Sequence, residues 1–573
     1  MDTRSSPLRP AVALREAWRD RRPGWLRSDL LAGLVVGIVA VPLSMALAIA
    51  SGAPPQAGLN TAIVAGGLVA LLGGSRHQVS GPTAAFVVIL VPIGARFGLG
   101  GLAIATMLAG LLLIGLALLR FGRLIQFVPY PVTMGFTAGI AVVIATLQIP
   151  GLLALTLAPL PPDAHYPERA AALWRALPSI AWGDALVGSL TLALLLWWPR
   201  TKSRVPGALV GLLACMSLAW VLARVVPGFE IETVRSRFGT AAHPAGIPQV
   251  LPHLVAPWKD LAGAELTFGL VRQLFPSAVA IALLAALESL LSAVVADGAT
   301  GTQHDPDAEL LALGIGNLVV PLFGGLAATG ALARTATNIR SGAHSPFAAL
   351  FHALFVLAAV LLLAPLLGHL PMCGLAALLL VVAWNMSEAR HVLRVLREAP
   401  RSDAAVLIVC FGLTVLFDMT IAVSVGFVLA AILFMRRMVE ISHVRLLSGE
   451  AMPEHGPLPA GVLIYEIGGP LFFGAAHKAT SILRRMAPDT RVLIMDFAQV
   501  PAIDASGLFN LRSALDRLGT RGVRVLFASL RPQPLKAMTR ARLVGPAGSI
   551  STHADLGTAI SAARTIVAQE VPR

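Results

Sequence analysis

Charge is scarce in this chain. Only 13% of its 573 residues are Asp, Glu, Lys or Arg, against 56% hydrophobic, and the mean hydropathy is +0.78. That balance excludes an ordinary soluble enzyme of this length and points to a polytopic membrane protein. Cysteine is scarcer still: Cys215, Cys373 and Cys410 all fall within apolar runs, and nothing resembles a disulfide or metal framework. Acidic residues number 30 against 44 Lys and Arg, a formal net charge of +14. In a soluble chain this would suggest nucleic acid as a partner, but here the arginines cluster at the ends of apolar runs, where they set membrane orientation. No nucleic acid partner is expected. The sequence also lacks a nucleophile–base pair, a metal cluster and a phosphate loop, so no enzyme activity and no cofactor are expected. Arg4, Arg9, Arg15, Arg19, Arg21, Arg22 and Arg27 precede Leu30 with no small-residue cleavage site after a short apolar core. Residues 1–29 are therefore expected to be a retained cytoplasmic segment.

What is present is a series of apolar runs. Residues 30–50, 59–74, 100–119, 131–149, 179–198 and 206–225, with a half-helix starting near Gly81, make a first set of seven segments. The polar stretch Val226 to Ala264 follows, then a second set at 270–296, 309–323, 330–341, 346–367, 369–385, 403–417 and 419–435. The longer runs have the roughly 20 residues that a hydrocarbon core about 30 Å thick requires. With the N-terminus inside, the loops on the cytoplasmic side hold Arg120, Arg123, Arg200, Lys202, Arg204, Arg390, Arg394, Arg397, Arg401, Arg436 and Arg437. The expected membrane domain is 30–437, as a first repeat 30–225 and a second 266–437. Asp418, between two short spans, reads as the cap of a tight turn. After Arg445 the pattern changes: residues 461–568 alternate apolar strands with amphipathic helices, among them a helix at 475–486, which predicts an α/β domain on the cytoplasmic side.

One stretch reads poorly as a membrane helix. Leu322 to Pro346, LFGGLAATGALARTATNIRSGAHSP, carries glycines, threonines and two arginines at membrane depth, so it must be shielded from lipid and line a site. An earlier stretch echoes it, with Leu72-Gly73-Gly74 followed by an extended Ser75–Val79, then Ser80-Gly81-Pro82 at a helix start. Two Gly-interrupted segments at corresponding places in two halves point to a transporter's binding site. If the halves are inverted, the helix starts near Gly81 and Gly330 meet, each offering free N–H groups and about half a positive charge. The expected substrate-binding set is Ser80, Gly81, Pro82 and Thr83 from the first start, with Thr329, Gly330, Ala333, Arg334 and Thr335 from the second. Arg334 supplies a permanent positive charge; its bland role is a buried ion pair with a helix C-terminus or with Glu288. Glu288, alone in IALLAALESLLSAVV, either partners Arg334 or carries a proton with the substrate. His77 reads as a solvated loop histidine.

DLLAGLVVGIVAVP at 29–42, SGPTAAF at 80–86, ALESLLSA at 286–293 and ART at 333–335 resemble the first, third, eighth and tenth segments of the SulP family of anion transporters, also called SLC26. The resemblance covers nearly the entire chain and implies seven plus seven inverted segments in a core and a gate domain, a homodimer, and multi-pass location in a bacterial inner membrane with both termini cytoplasmic. SGPTAAFVVIL, FGRLI, VVAWNMSEA, LTVLFDM and FMRR resemble the family's bacterial C4-dicarboxylate transporters most. This implies proton-coupled transport of small organic dianions such as succinate, fumarate or aspartate. The alternatives are bicarbonate, sulfate or chloride transport, or an anion sensor. Two departures stand out: Leu43 replaces the Gln or Glu that many members carry after the first-segment proline, and Ala333 replaces a Ser before the arginine. The 455–573 segment resembles a STAS domain through DFAQVPAIDASGL at 496–508. There Asp504 and Ser506 form a regulatory loop in which Ser506 is either phosphorylated or merely caps a helix, and the domain is open to a cytoplasmic partner.

Overall fold

The computed structural model describes the chain except for residues 1–8, 21–22, 126–128, 160, 162–163, 165, 202, 204, 262–264, 418, 442, 449–456, 473–488, 546–549 and 570–573. Apolar segments in lipid can satisfy their backbone groups only internally, so the long runs fold as helices. In order these are α1 (Val12–Arg19), α2 (Trp25–Ala50), α3 (Pro55–Leu72), α4 (Ala84–Leu118), α5 (Gly122–Ile125), α6 (Tyr130–Leu153), α7 (Tyr166–Ala176), α8 (Trp182–Trp197), α9 (Gly207–Val225), α10 (Val234–Phe238), α11 (Phe268–Thr300), α12 (Pro306–Val319), α13 (Leu332–Arg340), α14 (Phe347–Leu367), α15 (Met372–Ser387), α16 (Ala389–Glu398), α17 (Arg401–Leu416) and α18 (Met419–Ile441). Among the described residues, nine helices are long and apolar enough to cross a membrane, and a bent pair at 166–201 makes a tenth.

All fourteen expected segments fall on helices. The third and fourth share α4, broken at Gly98 (φ 68°) into a half-helix and a full span. In the unit Met1–Phe427, α2, α3, α4, α11, α12, α13 and α14 pack into one bundle, and α6, α8, α9, α15 and α17 into another. This is the core-and-gate division, with the two half-helices on the core side.

Three details differ from expectation. The first membrane helix starts at Trp25 rather than at residue 30, because Asp29 is buried and satisfied: its Oδ1 accepts the N–H groups of His344 (2.7 Å) and Ser345 (3.2 Å), and its Oδ2 the Ser345 hydroxyl. The half-helices begin at Ala84 and Leu332, a few residues beyond Gly81 and Gly330, and Pro82 lies before the N-cap Thr83. The intervening residues stay extended because they bond to each other as the strands β1 (Ser80–Gly81) and β2 (Thr329–Gly330). His77, read as a solvated loop residue, is buried, its carbonyl accepting Asn338 Nδ2 of α13, while the start of α1 donates from Ala11 N to Leu72 O and from Ala13 N to Gly73 O. Asp418 and the 475–486 helix lie outside the described residues.

The second unit, Val428–Arg573, holds a five-stranded sheet in the order β3 (His443–Ser448), β4 (Val462–Gly468), β5 (Val492–Gln499), β6 (Arg524–Ala528), β7 (Ser551–His553). Strand β3 is antiparallel to β4; the others are parallel. Its helices are α19 (Ala505–Thr520), α20 (Pro532–Arg540) and α21 (Leu556–Gln569). Because strand side chains alternate, Tyr465, Leu493, Met495 and Phe497 fill one face while Val462, Ile464, Val492 and Ile494 pack with Ala559 and Ile560 of α21 on the other. Strands β3 and β7 were not legible as strands.

Candidate functional site

β1 and β2 come from segments about 250 residues apart yet pair antiparallel, Ser80 with Gly330 and Gly81 with Thr329. Antiparallel pairing is what two inverted lead-ins require, and it sets the N-termini of the half-helix of α4 and of α13 side by side. Neither N-cap residue, Thr83 or Ala331, places its side chain on the first-turn N–H groups, which leaves donors facing the crossing point. Further bonds lock the crossing: Ala331 N–H donates to Val79 O (2.9 Å), Val79 N–H to Thr335 Oγ1 (3.1 Å), and Asn338 Nδ2 to His77 O (2.9 Å). On the α11 side, Thr329 Oγ1 donates to Ala285 O (2.8 Å) and Ser292 Oγ to Thr335 Oγ1 (3.2 Å).

Arg334 lies at the centre of this arrangement. It is 3% exposed, and its Nη2 donates to Pro82 O at 2.6 Å. A Cβ on Gly81 would fall 2.6 Å from Arg334 Nη1, so only glycine lets the guanidinium reach the first lead-in. Among the described residues Arg334 Nε and Nη1 have no hydrogen-bond partner. A buried guanidinium with two open donors beside two uncapped helix starts is an arrangement that favours an anion, because unpaired donors away from water cost free energy until something accepts from them. The Ser80 hydroxyl is buried and unpartnered as well.

Of the two roles open to Glu288, a direct ion pair with Arg334 is not formed: among the described residues no salt bridge joins them. Half-buried Glu288 instead accepts the Thr83 hydroxyl at 2.9 Å. It therefore sits against the start of the first half-helix, while Arg334 projects from the second. Ala333, in the same turn as Arg334, is exposed. Thr83 is thus engaged by the acid, Gly330 pairs through its backbone, and Thr329 and Thr335 bond through their hydroxyls around the crossing.

The sequence reading missed the polar network around this core. Gln78 Nε2 donates to Ser289 Oγ (2.5 Å) and to Glu309 Oε1 (2.8 Å), and Thr61 Oγ1 accepts Leu326 N–H (2.7 Å). Glu309 was hidden because an acid in the first turn of a helix looks like an ordinary terminal residue. In the second unit, Asp504 caps α19 by accepting Gly507 N–H at 2.6 Å, and Ser506 is half-buried in the first turn.

The model of the sulfate permease family matches residues 26–410, and that of the STAS domain matches 457–557. YvdB of Bacillus subtilis, by its name a candidate sulfate transporter, is 39% identical over 518 residues, 90% of this chain and 94% of YvdB. The bicarbonate transporter BicA of Picosynechococcus is 28% identical over 539 residues, 90% of this chain and 91% of BicA. Among solved structures, the murine solute carrier 26 family member A9 anion transporter in the inward-facing state superposes with a TM-score of 0.82 over 98% of this chain and 96% of that one. At 18% identity it supports the fold alone. The transmembrane domain of a cyanobacterial BicA gives 0.60 at 27% identity, over 72% of this chain and 98% of that one. With the paired half-helices, the core and gate bundles and these matches together, the chain belongs to the sulfate permease, or SulP, family of anion transporters and carries a C-terminal STAS domain.

Proposed function

We propose that this chain is a secondary transporter of small organic dianions, C4-dicarboxylates such as succinate, fumarate or aspartate, moved together with protons. The observation that carries anion binding is the buried Arg334, with Nε and Nη1 unpartnered beside two uncapped helix starts. Nε and Nη1 leave the guanidinium from different edges of one rigid plane, so they suit the two carboxylates of a dianion and fit Arg rather than Lys at this position. Leu43 and Ala333, where the family resemblance implies an acid or amide and a hydroxyl, favour in this reading a ligand with a carbon skeleton. On this proposal Glu288, which accepts the Thr83 hydroxyl rather than pairing with Arg334, takes and releases the coupled proton. In this reading residues 30–437 form the transport domain in a bacterial inner membrane as a homodimer, both termini are cytoplasmic, and the STAS domain at 455–573 regulates.

A second reading, sulfate or bicarbonate, is favoured by the names of the relatives at 39% and 28% identity. Uptake into proteoliposomes decides between them. Radiolabelled succinate that accumulates and is chased by fumarate but not by sulfate supports the first. Sulfate or bicarbonate uptake that succinate leaves unaffected supports the second. Binding without accumulation of any of these anions would identify a sensor.

A further inference from the structure

Helix α12 supplies no residue to the crossing point, yet it holds both lead-ins. Glu309, in its first turn, is buried; its Oε2 accepts the N–H groups of Gly74 (2.9 Å) and Ser75 (3.1 Å), and its Oε1 accepts from Gln78 Nε2 (2.8 Å) and from the Ser289 hydroxyl (3.5 Å). On the same helix Asn317 clasps Ala328 on both sides, accepting its N–H through Oδ1 (2.8 Å) and donating from Nδ2 to its carbonyl (2.8 Å). Gly74–Gln78 runs directly into β1, and Ala328 directly into β2. A helix rises about 1.5 Å per residue, so the two anchors stand roughly 12 Å apart on one rigid element. That element is itself braced, since a Cβ on Gly314 would fall 2.7 Å from Ile114 Cγ1 of α4.

We infer that α12 sets the distance between the two half-helix starts, and that Glu309 and Asn317 are positioning residues for the anion held at Arg334. The path is continuous. Glu309 fixes 74–78; Val79 then bonds to Thr335 and Ala331, and Pro82 O receives Arg334 Nη2. Movement of the first lead-in therefore moves the carbonyl that aims the guanidinium. The hydrogen bonds to Glu309 all come from donors without full charge, and among the described residues no salt bridge joins it to a cation, which makes it an acceptor hub.

The inference rests on Arg334 as the anion's donor, but the two fail separately: that reading fails on Arg334 variants, this one on α12 variants with Arg334 intact. The test is proteoliposome uptake of radiolabelled succinate or sulfate, whichever the wild-type protein accumulates, with the amount of inserted protein measured independently. Glu309→Leu is expected to raise KM at least about tenfold, since a misplacement near 1 Å in a positioned site costs on the order of 10²-fold. Glu309→Gln is expected to stay within about threefold of wild type, because its amide oxygen still accepts the Gly74 and Ser75 N–H groups and the Gln78 amide can turn to receive its NH2. If Glu309→Leu does not insert, Gln78→Leu and Asn317→Ala carry the same expectation of a raised KM. An unchanged KM with only less inserted protein overturns the inference, leaving a purely structural role. Retained binding with lost pH-driven accumulation in Glu309→Gln overturns it too, by making Glu309 a proton carrier.

Discussion

Replacing Arg334 by Ala tests whether the guanidinium serves the ligand or the fold. Among the described residues it makes one hydrogen bond, to Pro82 O, and leaves Nε and Nη1 open. Removing it costs that bond and frees the core of a buried charge, two effects of opposite sign that leave insertion intact. On the ligand side, two charge-assisted hydrogen bonds, one from each open donor to the dianion's carboxylates, are worth about 1.5–3 kcal/mol each, so about 3–6 kcal/mol together. At about 1.4 kcal/mol per tenfold, binding weakens by roughly 10²–10⁴-fold. Saturable uptake should vanish over any practical substrate range. Arg334→Lys keeps the charge but cannot present donors in the guanidinium's fixed planar directions, so it should recover part of the loss. The assay is binding and uptake of a labelled anion by purified protein in liposomes, with insertion checked by detergent-extracted yield and monodispersity. Normal uptake by a well-inserted Arg334→Ala protein would refute the assignment. Equal loss of uptake and of folded protein would show that the arginine serves the fold.

The remaining predictions address other parts of the chain. Glu288→Gln should bind and exchange substrate yet fail to accumulate it with a pH gradient, because an amide cannot carry the proton; measuring all three on one preparation checks it, and undiminished pH-driven accumulation would exclude Glu288 as the coupling group. Deleting 455–573 should leave anion binding in place and lower the uptake rate or the yield, since both half-helices lie outside that segment; total loss of binding by a folded truncation would contradict this. Tyr465 is fully buried with a hydroxyl that has no hydrogen-bond partner among the described residues, and burial holds its phenol well above the usual value near 10. The unfolded chain ionises Tyr465 first, so stability is lost as pH rises past about 10. Tyr465→Phe should remove that alkaline loss and stabilise the domain by about 1 kcal/mol at neutral pH, read from thermal unfolding between pH 7 and 11.

The sequence by itself determined the spans and the place of the site. Uninterrupted apolar runs can only become helices in lipid, and Gly-rich, Arg-bearing segments at the same depth can only persist inside protein, so Gly81, Gly330 and Arg334 were legible from local composition. The alternation around β4 and β5 was legible for the same local reason, because period-two burial is written in neighbouring residues. Tertiary structure alone decided which polar groups meet. Glu288 could have faced Arg334, but the packing of α11 against α4 gave it Thr83. Glu309 looked like a helix-terminal acid until the fold brought Gly74, Ser75 and Gln78 to it from more than 230 residues away. His77 looked solvated until the fold buried it and set Asn338 of α13 on its carbonyl. Hydrogen bonds between remote segments depend on how helices stack and where lead-ins cross, and no local pattern in the chain encodes that geometry.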